Sequence, residues 1–152
     1  MLRIFSFQGR RGHSPIGVMA ILLVVASLFV SCKDTLESAG KDVGVRFPAS
    51  AKVIGISRDK ENRLSVKVEM PAADWPGFLV STRIDSKSFR PDAVGLGLDD
   101  GFWDPNAHTK NMHSLQTDIP SKRGYDHRVL NIGYDDSRGS VVVVYVYCWE
   151  YN

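Results

Sequence analysis

The run VVVVYVYCWE, residues 141–150, constrains the fold of this chain more than any other stretch. Successive side chains of a strand point to opposite faces of the sheet. Val142, Val144, Val146 and Cys148 therefore share one face, and Val141, Val143, Tyr145, Tyr147 and Trp149 share the other. A strand that is apolar on both sides has to be covered on both sides, so it belongs inside a sheet. Val129 to Tyr134 precedes it, separated by the polar turn Asp135-Asp136-Ser137-Arg138-Gly139, and the spacing predicts a hairpin with Ser140 to Glu150 as its second arm.

Leu64 to Met70 alternates with a period of two: Leu64, Val66, Val68 and Met70 form a dry face, while Ser65, Lys67 and Glu69 form a wet one. Val43 to Phe47 and Lys52 to Ser57 are shorter strand candidates, and Asp59 to Asn62 supplies a turn before Leu64. Pro71 ends the alternating run. Asp74 is then placed to cap a short helix with Trp75 and Pro76 in its first turn. Trp75, Phe78, Leu79 and Thr82 recur at helical spacing, so this helix is expected to lie across the sheet. Ile84 to Arg128 has little periodicity and many Gly, Pro, Asp and Asn residues. So long a connection is unusual in a compact domain, and short strands are expected within it, Val94 to Leu98 foremost. Together these features predict an α+β domain: a mainly antiparallel β-sheet with one short helix packed on it. An all-β sandwich is the alternative.

The N-terminal end has a different composition. Met1 to Pro15 is polar and basic, Ile16 to Val30 is an uncharged apolar run broken by Ser27 alone, and Ser31-Cys32 follows. An apolar run of about 15 residues matches the core of a signal peptide, roughly 7–15 residues long. As a helix it spans only about 22 Å, short of a hydrocarbon layer of about 30 Å, which makes a permanent membrane span the weaker expectation. Leu28-Phe29-Val30-Ser31-Cys32 resembles the lipobox of bacterial prolipoproteins, a short apolar and small stretch ending in a cysteine. The resemblance implies diacylglyceryl attachment to the Cys32 thiol and cleavage before it; Phe29 departs from the aliphatic residue usual at its position. A plain secretory peptide with Cys32 as an incidental thiol is the alternative. Lys33, standing where enterobacterial inner-membrane lipoproteins carry Asp, favours the outer membrane under the same resemblance. The expected organisation is a signal peptide over residues 1–31, a lipidated tether over 32–42, and one globular domain over 43–152.

Arg3, Arg10 and Arg11 are the only ionised side chains before Cys32, so their removal takes the formal charge from +2 to −1. The excess of base therefore belongs to the leader, and no nucleic-acid partner is expected. With Cys32 acylated, Cys148 has no partner within the chain and is expected as a buried, reduced thiol in a valine-rich strand.

The remaining chemistry is sparse. His108, His113 and His127 lack convergent metal-ligand spacing and are expected to be exposed loop histidines. Asp99, Asp100 and Asp104 around Gly101 lack the alternation and terminal Glu of an EF-hand, so they are expected as a solvated turn. The sequence has no nucleophile elbow, P-loop or HExxH pattern. Neither metal nor cofactor is expected, and the chain is read as not an enzyme. The Tyr145, Tyr147 and Trp149 stripe is expected as core beneath the helix that carries Trp75 and Phe78.

Trp103-x-Pro105, Pro120, Val129-Leu130-Asn131-Ile132-Gly133 and a closing run with Tyr145 and Trp149 resemble a group of small Gram-negative lipoproteins of no established function. The resemblance implies class and location. The function expected from the residues is non-enzymatic protein binding on the periplasmic side of the envelope, in the manner of immunity proteins or inhibitors, with the bilayer held through Cys32. A structural or accessory role in an envelope complex is the alternative. The partner site is expected on Gly95 to His113, centred on Phe102 and Trp103 with Asp99, Asp100 and Asp104 as a negative rim. For Trp103 the competing expectation is a core plug.

Overall fold

The computed structural model describes residues 35–92, 95–97, 101–108, 111–120 and 127–151. The expected leader, Cys32, Asp99 and Asp100 lie outside them. Among the described residues the elements run α1 (Leu36–Val43), β1 (Lys52–Arg58), β2 (Leu64–Pro71), α2 (Trp75–Thr82), β3 (Met112–Asp118), β4 (His127–Asp135) and β5 (Val141–Tyr151). The strands form one five-stranded sheet in the order β1-β2-β5-β4-β3, antiparallel at every pairing. This is an α+β fold dominated by its sheet.

β5 takes the central position that its two apolar faces require. On its first face, Cys148, Val146, Val144 and Val142 stand opposite Leu64, Val66, Val68 and Met70 of β2. Leu130 and Ile132 of β4 oppose Cys148 and Val146 from the other side. Directly opposed apolar pairs of this kind are the unit of sheet stabilisation. α1 and α2 both cover this face, and Ala39, Val43, Phe78 and Leu79 complete the core. Trp75 packs on Phe78 at 5.4 Å between ring centroids and on Tyr134 at 4.5 Å.

Several expectations are corrected. Residues expected as a tether form α1 instead, so the domain contains two helices. Thr35 and Ser38 make reciprocal capping bonds, Gly44 closes the C-terminal end in the left-handed conformation, and Ala39 and Gly40 are small enough to bring the helix against the sheet. Val43 ends this helix and Val45 follows it into the core, so Val43 to Phe47 is no strand. Asp74 makes no side-chain cap. Residues 72–74 already wind as a 3-10 turn, which gives Asp74 helical backbone angles that turn its carboxylate from the following amides; it accepts from Ser50 Oγ. The long connection does contain a strand, but it is Met112–Asp118; Gly95–Gly97, the described part of the expected strand, is irregular.

The largest correction concerns the second sheet face. Ser65, Lys67 and Glu69 are half-buried, and Tyr145 is fully buried. Trp75 and Phe78 lie on the opposite face, so they cannot cover the tyrosine stripe. Residues 95–97 and 101–105 cover it, and Leu96, Trp103, Met112, Val143 and Tyr145 form a second core.

Candidate binding site

The cover is keyed into the sheet by two sites without a side chain. Phe102 lies across Gly55 of β1, where any Cβ would overlap its ring, and Leu96 fills the space over Gly133 of β4 in the same way. Asn131 donates through Nδ2 to the Gly95 carbonyl and fastens the start of the cover. These close approaches explain why glycine stands within two strands where it weakens local propensity.

Trp103 is 4% exposed. Its indole Nε1 donates to the Leu96 carbonyl at 2.7 Å, and its ring meets Tyr145 edge-on at 5.2 Å. The expectation of an exposed Trp103 anchor is therefore corrected: an indole with both a packing partner and a hydrogen-bond acceptor inside the fold gains nothing by projecting outward. Asp104 does not stand free as a rim charge either. It accepts from Tyr145 Oη at 2.8 Å and is ion-paired with Lys67, whose side chain is 11% exposed and lies 5.2 Å from the Tyr145 ring centroid. Asp104 keeps 37% of its side chain exposed, and its two contacts tie the cover to the sheet from the edge of the second core.

Phe102 remains partly exposed and walls a cleft of about 380 Å³. Tyr147 and the edge of Trp103 form the other aromatic surfaces, Ser57 and Ser65 supply hydroxyls, and Asp59 and Arg63 stand at the rim. Arg63 binds Asp59 at 2.5 Å and Glu61 at 3.3 Å. Burial opposes ionisation of Asp59, but Arg63 and the backbone amides of Arg63 and Glu61 together hold its carboxyl below the usual range. Desolvation pushes the Tyr147 phenol up, with Arg63 working against the shift. At neutral pH the cleft thus offers neutral aromatic faces beside a fixed acid–base pair, which suits a partner side chain with an apolar body and a polar end.

Of the residues expected at a partner site, the structure brings together Phe102, Trp103 and Asp104, with Phe102 alone on the accessible surface of the cleft as a substantial apolar group from the cover. Asp99 and Asp100 lie outside the described residues. His113 is a strand residue rather than a loop one; it stacks on Tyr134 at 5.0 Å. His127 likewise begins β4 and stacks on Tyr151 at 5.0 Å. Among the described residues no three of the His, Cys, Asp and Glu side chains converge as metal ligands. Cys148 is buried and free, and desolvation pushes its thiol up, which disfavours the nucleophilic thiolate.

A buried ionic cluster on the first face is not among the sites expected from the sequence. Arg128, 4% exposed, donates to the Asp42 carbonyl at 2.8 Å and approaches the Asp42 carboxylate at 3.1 Å. Its Nε lies 2.9 Å from Glu150 Oε1, close enough for an ion pair though off the axis of a straight hydrogen bond. Arg58 reaches the other Asp42 oxygen at 2.7 Å. The signal in the sequence was Glu150 at the end of an otherwise apolar strand, which demands a cation opposite; the register supplies Arg128. Asp42 gave none, since its role depends on α1 docking there.

The chain matches no protein-family model, and searches of curated proteins and of solved structures return no match either.

Proposed function

We propose that this chain is a lipid-anchored protein of the bacterial envelope, held through acylated Cys32, whose domain binds a protein partner without catalysing a reaction. The observation that carries the binding role is the cleft beside Phe102: three aromatic surfaces converge there next to an acid–base pair, on a cover keyed rigidly into the sheet. Interface energy concentrates in a few aromatic and arginine side chains set in such recesses. The buried thiol of Cys148, disfavoured as a thiolate, supports a non-catalytic role. Lipobox-like residues before Cys32 and Lys33 after it support an anchor in the outer membrane, with the domain on the periplasmic side.

A photo-crosslinking amino acid at position 102 tests the site in cells. A discrete adduct from position 102, absent when the same group stands at exposed Lys87, is expected. Phe102→Ala, with the crosslinker moved to Ser57, should reduce that adduct strongly. Equal, diffuse labelling from positions 102 and 87 overturns the binding role.

A further inference from the structure

On the face of the sheet opposite the cleft, a groove of about 1060 Å³ runs between α1, the segment 44–51 and the end of α2. Its floor is apolar, formed by Leu36, Val45, Phe47 and Pro48. Its rim is basic: Lys41, Arg46 and Arg83 face one acid, Glu37, which is already bound to Lys41 at 2.6 Å. The exposed side chains of Arg46 and Arg83 have no partner among the described residues. Two guanidiniums with no paired acid among the described residues, over an apolar floor, match an anionic lipid headgroup and the first methylenes beneath it.

Chain length places such a lipid within reach. Three residues separate Cys32 from Leu36, the first residue of α1 and part of the groove wall. Fully extended, that connection spans at most about 14 Å between the two Cα atoms. Because α1 is part of the folded core, no longer tether exists to hold the domain away from the bilayer. We infer that the groove docks onto the membrane that holds the Cys32 acyl chains, with Arg46 and Arg83 gripping the phosphate of an anionic phospholipid. The inference rests on lipidation of Cys32. It also orients the domain: the Phe102 cleft, on the other sheet face, points away from the bilayer toward a partner.

The test uses the full lipidated chain reconstituted in vesicles. Ala49→Cys, at the groove, carries a fluorophore; Cys148 is buried and Cys32 acylated, so the label is specific. Lipids bearing a quencher near the headgroup report docking. Quenching should be strong in phosphatidylethanolamine vesicles containing phosphatidylglycerol, weak in phosphatidylethanolamine and phosphatidylcholine alone, and reduced by salt. Arg46→Gln with Arg83→Gln should lower the docking equilibrium about 25-fold, about fivefold for each charge. Lys60→Gln, a single charge change in the turn after β1 and outside the groove lining, should leave it within about twofold, against about fivefold for either arginine. The single arginine variants, each expected to show about a fivefold loss, keep the comparison decisive should the double variant misfold. Radiolabelled palmitate in the wild type separates the two premises. Absence of label at Cys32 overturns the anchor and the docking together. Label at Cys32 with quenching indifferent to phosphatidylglycerol or to both arginines overturns the docking alone.

Discussion

Truncating Trp103 to alanine discriminates between a structural cover and a loose loop. The indole is almost wholly buried against Tyr145 and Tyr147, and its Nε1 satisfies the buried Leu96 carbonyl. Removing a core tryptophan costs about 3–5 kcal/mol. The orphaned carbonyl adds about 1 kcal/mol where water cannot replace the donor. Asp104 follows Trp103 directly, so displacement of the cover also weakens its bonds to Lys67 and Tyr145. For a domain of this size each kcal/mol shifts the melting point by about 3–5 °C, which gives an expected fall of about 12–30 °C. Near-ultraviolet circular dichroism of the purified lipidated chain in detergent follows the transition. Phe102→Ala, which removes a half-exposed ring, should fall by less than half as much. A Trp103→Ala midpoint within about 3 °C of wild type contradicts the burial argument and returns Trp103 to the surface.

Cys32→Ala should abolish palmitate incorporation and leave an unprocessed precursor about 3 kDa heavier than the unacylated mature chain. Arg128→Met should destabilise the domain by about 3–5 kcal/mol in chemical denaturation, because it leaves Glu150 buried without its cation and Asp42 with Arg58 alone; a loss below about 1 kcal/mol contradicts the ionic cluster. Cys148 should resist alkylation in the folded protein and react quickly once denatured, whereas rapid native labelling places it at the surface. Burial pushes Cys148, Tyr134 and Tyr147 up, so the unfolded chain loses these protons first. Stability contributed by the neutral groups is complete below their unfolded values and declines as pH rises through about 9–10 toward the folded ones. Cys148→Ala should flatten the early part of that decline, and an unchanged slope excludes the thiol as its source.

The strands β2, β4 and β5 were legible in the sequence because alternation and unbroken β-branched runs are local properties: Leu64–Met70 sorts its own faces, and Val141–Glu150 declares itself covered on both. The identity of each cover was not local. Tyr145 and Tyr147 demanded a lid, and α2 had the right aromatics, but the sheet register sends those side chains to one face while α2 packs on the other. The actual lid comes from the Gly- and Asp-rich connection, whose lack of periodicity made it read as a surface loop. Its fit depends on Gly55 and Gly133, distant in sequence, standing beneath Phe102 and Leu96. Likewise Thr35 to Val43 contains a capping signal, yet its polar composition suggested a tether, because the burial of Ala39 and the pairing of Asp42 exist only once the sheet is present. The candidate site divides in the same way. Phe102 could be singled out as a large aromatic in a loop, whereas the cleft it forms with Tyr147 and Arg63 required three separate elements to meet. Local periodicity set the strands of this protein; long-range packing decided which surfaces they leave free.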